Sequence, residues 1–458
     1  MAVTLVDGWR ERIDGFVTDW LSEERVPGAA VAVVDGDDVA HTAGYGARDL
    51  AADAPATPAT LYGVASVTKS VTALAVLQQV ERTDLALGDP VTDHLDFYDD
   101  LADPPTVHEL LSHSSGLPSD GASVVLIARL TGEDPVEVPL SSPADLRRHV
   151  AGATRDRTEG EFFYYNTGYT VLGRLVEALD GRPFPEYVGD EILAPLGMTR
   201  SVVAPDDLDA VEDAMTPYRT DDGDRVEADF PVKGVGAAGG LVASVEELAS
   251  YLAFQLDPDP DVVAPDLLAE AHAAHATRQT YLDGDEQGYG YGWMRRSLLG
   301  DTLVEHGGSL GVSTAYVGYL EDAEIGVALS CNDSPEAHPQ FVGPALLATA
   351  VGEEPAAATR FYALRARAAR VAGHYESHRG VQTAEVTPTA DGTIEVELAT
   401  ALGDQSFEAF PESTAVDDRT YYTVEAGGAR VPLRFVDADD GLDLLYRRWR
   451  LRGESRNP

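Results

Sequence analysis

The sequence predicts an α/β chain of the α+β kind: an antiparallel sheet flanked by helices with a helical subdomain, followed by a C-terminal antiparallel β-barrel-like domain. Three observations predict it. β-rich runs occur early, at Ala29–Val34 and Val39–Tyr45, and late, at Thr302–Glu305, Ser313–Tyr319 and Glu324–Ser330, so distant parts of the chain complete one sheet. Between them, from about residue 80 to 230, helix-like segments alternate with Pro/Gly/Asp loops. After a polar, Ala-rich linker near 353–360 and a short helix, the pattern turns to short strands. The expected domains are residues 1–355 and 361–458.

Each element follows from local pattern. Residues 8–22 carry Trp9, Ile13, Phe16, Val17, Trp20 and Leu21 on one helical face. The first two β runs flank Asp35-Gly36-Asp37-Asp38 and read as a hairpin. Val71 to Val80 is a mainly apolar stretch, expected as a buried helix ending before Gly88-Asp89-Pro90. In Tyr169–Leu179, Val171, Leu172, Leu175, Val176 and Leu179 keep helical spacing and Gly181 supplies the stop. Thr383–Pro388, Thr393–Ala399, Tyr421–Glu425, Arg430–Phe435 and Leu442–Arg450 read as strands, joined by turns such as Asp391-Gly392 and Gly427-Gly428.

Composition excludes several functions. Among 458 residues, 78 are acidic and 33 basic, a formal net charge of −45. Phosphates would be repelled, which argues against nucleic acid or an anionic membrane as partner. The acids are dispersed, as suits a surface in concentrated salt, where screening acts over about 3 Å at 1 M. Asp7, Arg10, Glu11, Arg12 and Asp14 interrupt any apolar leader, and no run approaches a membrane span. The single Cys331 cannot form an internal disulfide and reads as a small buried residue. The expected location is cytoplasmic, and the oligomeric state is left open.

The chemistry centres on Ser66-Val67-Thr68-Lys69. Only two lysines occur, Lys69 and Lys233, the other basic residues being arginine. Three residues of helix rise about 4.5 Å and put both side chains on one face, so Lys69 can reach the Ser66 hydroxyl. Serine is a weak nucleophile until a neighbouring base takes its proton. A lysine in the first helical turn opposes the helix dipole, which argues against a purely structural role. Tyr164-Tyr165-Asn166 is ambiguous alone: Phe162 to Tyr165 could be a core cluster, with Asn166 capping the next helix. His306-Gly307-Gly308 follows a strand, where a lone histidine is usually structural.

In combination these three motifs resemble, in order and approximate spacing, those of the penicillin-recognising serine hydrolases. That group includes class C β-lactamases, DD-peptidases, D-aminopeptidases and esterases. Thr106–Pro118, Pro195-Leu196-Gly197-Met198 and Ala237-Ala238-Gly239-Gly240-Leu241 resemble its connecting segments. The likeness covers about residues 10–350. The β domain after it is similar in placement to the lipocalin-like domain of some archaeal and bacterial members. The resemblance implies that Ser66 is acylated, that Lys69 and Tyr164 share the proton traffic, and that Asn166 orients the substrate. It further implies an oxyanion hole of the Ser66 and Ser309 backbone N–H groups, with His306, Gly307 and Gly308 lining the substrate site. Which of Lys69 and Tyr164 is the base stays open, since the pair would titrate jointly. Where many relatives carry Lys-Thr-Gly, this chain has His306-Gly307-Gly308, with a group titrating near 6.5 in place of a permanent cation. Efficient β-lactam turnover is therefore not expected, and small esters, amides or peptides are the expected substrates. No cofactor and no metal are implied.

Other patterns compete less well. Gly307-Gly308-Ser309-Leu310-Gly311 matches a nucleophile elbow, but a strand-like run follows where a helix is required. Gly234-x-Gly236-x-x-Gly239 lacks the strand that a dinucleotide site needs before it. His272-x-x-His275 lacks a completing ligand and reads as exposed polar residues on a helix. The alternative from another class is a catalytically weak receptor that binds ligands in the same pocket. The charge pattern carries one expectation: the melting temperature rises between dilute buffer and molar salt, and an unchanged value would refute the salt-adapted reading.

Overall fold

The computed structural model describes residues 3–98, 101–117, 154–156, 161–205, 208–221, 224–230, 236–400, 403–439 and 441–453. Pro118, Lys233, Gly234 and much of the expected helical subdomain lie outside them. Two compact units emerge, one of residues 1–280 and 286–351, the other of residues 281–285 and 352–458.

The first unit is built on nine antiparallel strands: β1 (Gly28–Asp35), β2 (Asp38–Asp49), β3 (Ala54–Pro55), β4 (Ala276–Thr280), β5 (Glu286–Tyr289), β6 (Met294–Leu298), β7 (Asp301–Ser309), β8 (Thr314–Leu320) and β9 (Ile325–Cys331). Their order is β3-β2-β1-β9-β8-β7-β6-β5-β4, so the N-terminal hairpin joins the late strands through β1 and β9. β8 and β9 are buried throughout, and β1 except at Asp35, which explains their continuous apolar runs. On one face Ala30, Ala32 and Val34 join the core that holds Leu248, Ala249 and Leu252 of the helix Val245–Leu256. On the other, Tyr316 packs against Gly343 of the helix Pro339–Ala350. Helix α1 (Trp9–Glu24) buries Trp9, Ile13, Val17, Trp20 and Leu21, the face that its spacing predicts.

Three further helices surround the motifs. α2 (Thr68–Arg82) is buried along most of its length. α3 (Val107–Leu111) starts with a reciprocal capping box, Thr106 Oγ1 accepting from the Glu109 N–H and Glu109 from the Thr106 N–H. α4 (Asn166–Asp180) ends at Gly181 in the left-handed conformation, as the sequence suggests. Among the described residues no helix is long and apolar enough to cross a membrane.

The second unit is a closed eight-stranded barrel in sequential order: β10 (Gly373–Glu376), β11 (Gln382–Pro388), β12 (Ile394–Thr400), β13 (Gly403–Pro411), β14 (Thr420–Val424), β15 (Arg430–Ala438), β16 (Gly441–Tyr446) and β17 (Trp449–Gly453). Strict alternation sends Ile394, Val396 and Leu398 inward and Glu395 and Glu397 outward. Eight strands leave an interior that side chains fill, and Tyr375, Val386, Tyr421, Leu433, Phe435 and Leu444 fill it here. The helix Arg360–Val371 adds Ala368 and Val371 to that core.

Several expectations shift. The run Leu442–Arg450 is two strands, divided at Arg447, whose φ of +51° makes the turn. β7 continues through His306 to Ser309, so the histidine lies within the strand and not after it. β4 to β6, β10 and β13 were not anticipated, because polar and charged residues dominate their exposed faces.

Among the described residues of this unit, Arg367 of the helix Arg360–Val371 is a charged side chain that is buried completely. Its Nη1 donates to the Ser413 carbonyl at 2.6 Å, Nη2 donates to the Thr420 carbonyl, and the guanidinium lies 4.6 Å from the Tyr421 ring centroid. Arg367→Ala would leave the Ser413 carbonyl without this donor, while the Thr420 carbonyl keeps the Glu412 N–H at 3.0 Å, and should destabilise the barrel by about 1–3 kcal/mol. Denaturant unfolding of the full chain with an unaltered midpoint would contradict this.

Candidate active site

Ser66 sits in a 3₁₀ turn, Ala65–Val67, that runs directly into α2. Ala65 enters the turn with φ of +51°, a left-handed conformation that a non-glycine residue holds only when its surroundings impose it. The turn is fastened by Thr68 Oγ1, which donates to the Ala65 carbonyl at 2.6 Å and accepts from the Leu241 N–H at 3.0 Å. β7 closes on it from the other side. A Cβ on Gly308 would lie 2.2 Å from the Val64 carbonyl oxygen and 2.7 Å from the Ser66 nitrogen, so only glycine fits there.

Lys69 is fully buried. Its Nζ lies 3.1 Å from Ser66 Oγ and donates to the Ala238 carbonyl at 2.6 Å. The turn between β5 and β6 presses onto this lysine's backbone: Gly292, at φ +74°, would place a Cβ 2.6 Å from the Lys69 carbonyl oxygen. Burial alone pushes the amine down from its ordinary value to about 7. Among the described residues no carboxylate charge offsets that cause.

Aromatic rings enclose the amine. Nζ lies 4.9 Å from the Tyr164 ring centroid and 5.5 Å from that of Tyr169. Tyr164 stands two residues before α4 and hydrogen bonds Ser66; burial pushes its hydroxyl up to about 12 against the lowering influence of Ser66 and Arg278. His113 packs its ring 4.4 Å from that of Tyr164 and accepts the Tyr165 N–H at Nδ1, 3.1 Å away. Burial, helped by the charges of Lys69, His306 and Arg278, holds His113 well below the usual histidine range, and therefore neutral. His306 accepts at Nε2 from the Tyr289 hydroxyl at 3.1 Å, and its Nδ1 donates to the Gly307 carbonyl at 2.7 Å.

The structure brings Ser66, Lys69, Tyr164, His306 and Gly308 together. Asn166 is the first residue of α4, one place after the Tyr165 N-cap, and so does not occupy the capping position. Gly307 faces away from Ser66, its missing Cβ accommodating Gln340 at 2.9 Å. Ser309 ends β7 exposed, its Oγ accepting from the Gly311 N–H at 3.2 Å. The strand β8 follows Ser309, so no nucleophile elbow forms there.

Two expectations are corrected. His306 does not titrate near 6.5, because burial and the nearby Lys69 charge lower it to about 3. His272 is not exposed: it is buried, with Nε2 at 2.8 Å from Gln255 Oε1 and Nδ1 at 3.0 Å from the Tyr319 hydroxyl, while His275 lies past the helix end and stacks on Tyr291. Among the described residues no group of three or more His, Cys, Asp or Glu is placed to hold a metal ion. His113, Tyr169, Tyr289 and the Ala238 carbonyl carried no assigned role in the sequence. His113 and Ala238 fall inside two of the connecting segments, a positional signal that says nothing of contacts with Lys69.

Comparison with known proteins identifies the family and the fold. The Beta-lactamase family model matches residues 9–351, and the Pab87 octamerisation domain matches residues 355–452. The structure is similar to an octameric penicillin-binding protein homologue from Pyrococcus abyssi, with TM-score 0.88 and 32% identity, covering 97% of this chain and 100% of that one. Its fold is also similar to the D-amino acid amidase from Ochrobactrum anthropi SV3, with TM-score 0.62 and 21% identity, over 75% of this chain and 98% of that one. Penicillin-binding protein 4 of Amycolatopsis lactamdurans is 28% identical over 71% of this chain and 84% of its own length. Protein flp of Staphylococcus aureus (strain COL) is 26% identical over 74% of this chain, and the match spans 66% of that relative. The chain belongs to the beta-lactamase family of penicillin-recognising serine hydrolases, followed by a barrel of the octamerisation type.

Proposed function

We propose that this chain hydrolyses small esters, amides or peptides through an acyl-enzyme on Ser66. The observation that carries the reading is the buried Lys69 amine, 3.1 Å from Ser66 Oγ and lowered to about 7. A neutral amine takes the Ser66 proton as Oγ attacks the substrate carbonyl. Tyr164, protonated up to about pH 12 and hydrogen bonded to Ser66, gives its proton to the leaving group and is reprotonated from Lys69. Water then attacks the acyl carbonyl, Lys69 takes its proton, and Ser66 leaves with one. The Ser66 and Ser309 N–H groups would hold the oxyanion, each worth about 10²–10³ in turnover. Asn166, Gly307 and Gly308 would line the substrate's path, and His306 would act as a neutral group holding Tyr289.

The test joins labelling to a pH profile. A fluorophosphonate probe should label the full chain in molar salt and fail on Ser66→Ala. Hydrolysis of a small ester should rise with pH through about 7, as Lys69 loses its proton, and stay high towards the Tyr164 limit. Absence of both label and hydrolysis would leave the receptor reading standing instead.

The barrel is proposed to assemble copies of the chain. This rests on the match to the octamerisation domain and the octameric relative. Val381, Phe410 and Val424, all on this unit, are 56%, 40% and 59% exposed, a pattern suited to self-association. Light scattering in molar salt should give a mass several times 48.8 kDa, reduced by Phe410→Glu; a monomer mass for the native chain would refute the assignment.

A further inference from the structure

We propose that His113 is a positioning residue of this site, holding Tyr164 where it can pass a proton to the leaving group. The inference deepens the hydrolase reading and rests on the acid role given there to Tyr164. His113 stands one residue past the Ser112 cap of α3, at φ +57°. Glycine is the usual occupant of such a left-handed position at a helix end, because a Cβ is strained there. A histidine held in that conformation points to a task for its side chain.

His113 grips the chain on both sides of Tyr164. Its carbonyl accepts the Phe163 N–H at 3.2 Å, and its Nδ1 accepts the Tyr165 N–H at 3.1 Å. N–H groups two residues apart point the same way along an extended chain, and a strand partner would receive them on two residues. The left-handed turn at His113 leads the backbone away, and the imidazole nitrogen supplies the second acceptor. The same ring lies 4.4 Å from the Tyr164 ring, and 5.1 Å from that of Tyr169, whose centroid is 5.5 Å from Lys69 Nζ. A phenylalanine could make these ring contacts. Only the nitrogen acceptor requires histidine.

The gripping residue is itself fixed. Ser112 Oγ donates to the His108 carbonyl at 2.7 Å, the Ser114 N–H to the Glu109 carbonyl at 3.0 Å, and the Tyr169 hydroxyl to the Leu111 carbonyl at 2.6 Å. Arg155 Nε donates to the Ser115 carbonyl at 2.7 Å. The imidazole is fully buried and neutral, with Nδ1 accepting and the ring proton on Nε2. A charged ring would carry a proton on Nδ1 and set two donors against each other at Tyr165. Tyr164, held between the two bonds, hydrogen bonds Ser66. A general acid tolerates little displacement, since its proton travels along a hydrogen bond of about 2.6–3.2 Å.

The test uses the full chain in molar salt and separates positioning from folding by the leaving group. p-Nitrophenolate departs as a stable anion and needs no acid, whereas the alkoxide of benzyl acetate must be protonated as it leaves. In His113→Phe, kcat for benzyl acetate should fall about 10- to 100-fold with KM little changed, while kcat/KM for p-nitrophenyl acetate stays within about threefold. His113→Asn tolerates the left-handed backbone and offers an amide oxygen near the Nδ1 position, so it should recover most of the loss. The His113→Phe, Tyr164→Phe double variant should be no slower on benzyl acetate than Tyr164→Phe alone. An equal loss on both esters, no recovery in His113→Asn, or additive losses in the double variant would each overturn the proposal. If His113→Phe does not fold, His113→Gln, whose amide oxygen lies one bond farther out, carries the same comparison with His113→Asn. Equal slowing of both esters by Tyr164→Phe would overturn the acid role of Tyr164, and absence of the fluorophosphonate label from the native chain the hydrolase reading.

Discussion

The fold depends, around its site, on keeping one amine dry. Holding Lys69 at about 7 instead of 10.5 corresponds to roughly 4–5 kcal/mol of lost preference for the charged form. Water would erase that shift, so every element near Lys69 acts first as a seal. α2 supplies the residue, the Gly236–Gly239 helix supplies the Ala238 carbonyl, and α4 and the segment before it supply Tyr169 and Tyr164. The β5–β6 turn closes the back through Gly292. The unfolded chain binds a proton at Lys69 that the folded chain lacks between about pH 7 and 10.5, so this group adds stability as pH rises across that window.

The seal sets the identities of its neighbours. A second cation within it would oppose protonation of Lys69 further and would itself lie in a low-dielectric site. His113 and His306 therefore persist as neutral rings, each with one nitrogen accepting a hydrogen bond that a charged ring could not accept. The loss of the lysine found at the third motif in many relatives is coherent with this. Position 306 lies behind Tyr164, against Tyr289, where a charged group would be desolvated as completely as Lys69.

Much of this was legible in the sequence where short-range pattern decides the outcome. The β1–β2 hairpin, α2, α4 and the strands β8, β9, β11 and β12 follow from periodicity and turn residues. Ser66 and Lys69 declare themselves because a lysine is so rare here. What was not legible depends on long-range packing. Charge on the outer face hides β6 and β13, and a histidine's titration follows from what covers it, which spacing cannot show. Phe162 to Tyr165 reads as either core or site, and it is both: Tyr165 is buried core while Tyr164 reaches Ser66. Gly308 shows the same limit, since its need for glycine comes from Val64 and Ser66, some 240 residues away in sequence.

The contrast between surface and site completes the physical picture. Outside, dispersed carboxylates repel one another and any anion at long range, but only over about a Debye length, roughly 3 Å in molar salt. Inside, Lys69 lies in a protein interior where charges are screened far less. In concentrated salt the surface field is confined to a few ångströms, while the interior field is not. A strongly acidic chain can therefore keep a buried amine whose titration is set by what covers it and not by the surface charge. The burial that lowers Lys69 to about 7 is thus a local effect, and it does not follow from the net charge of −45.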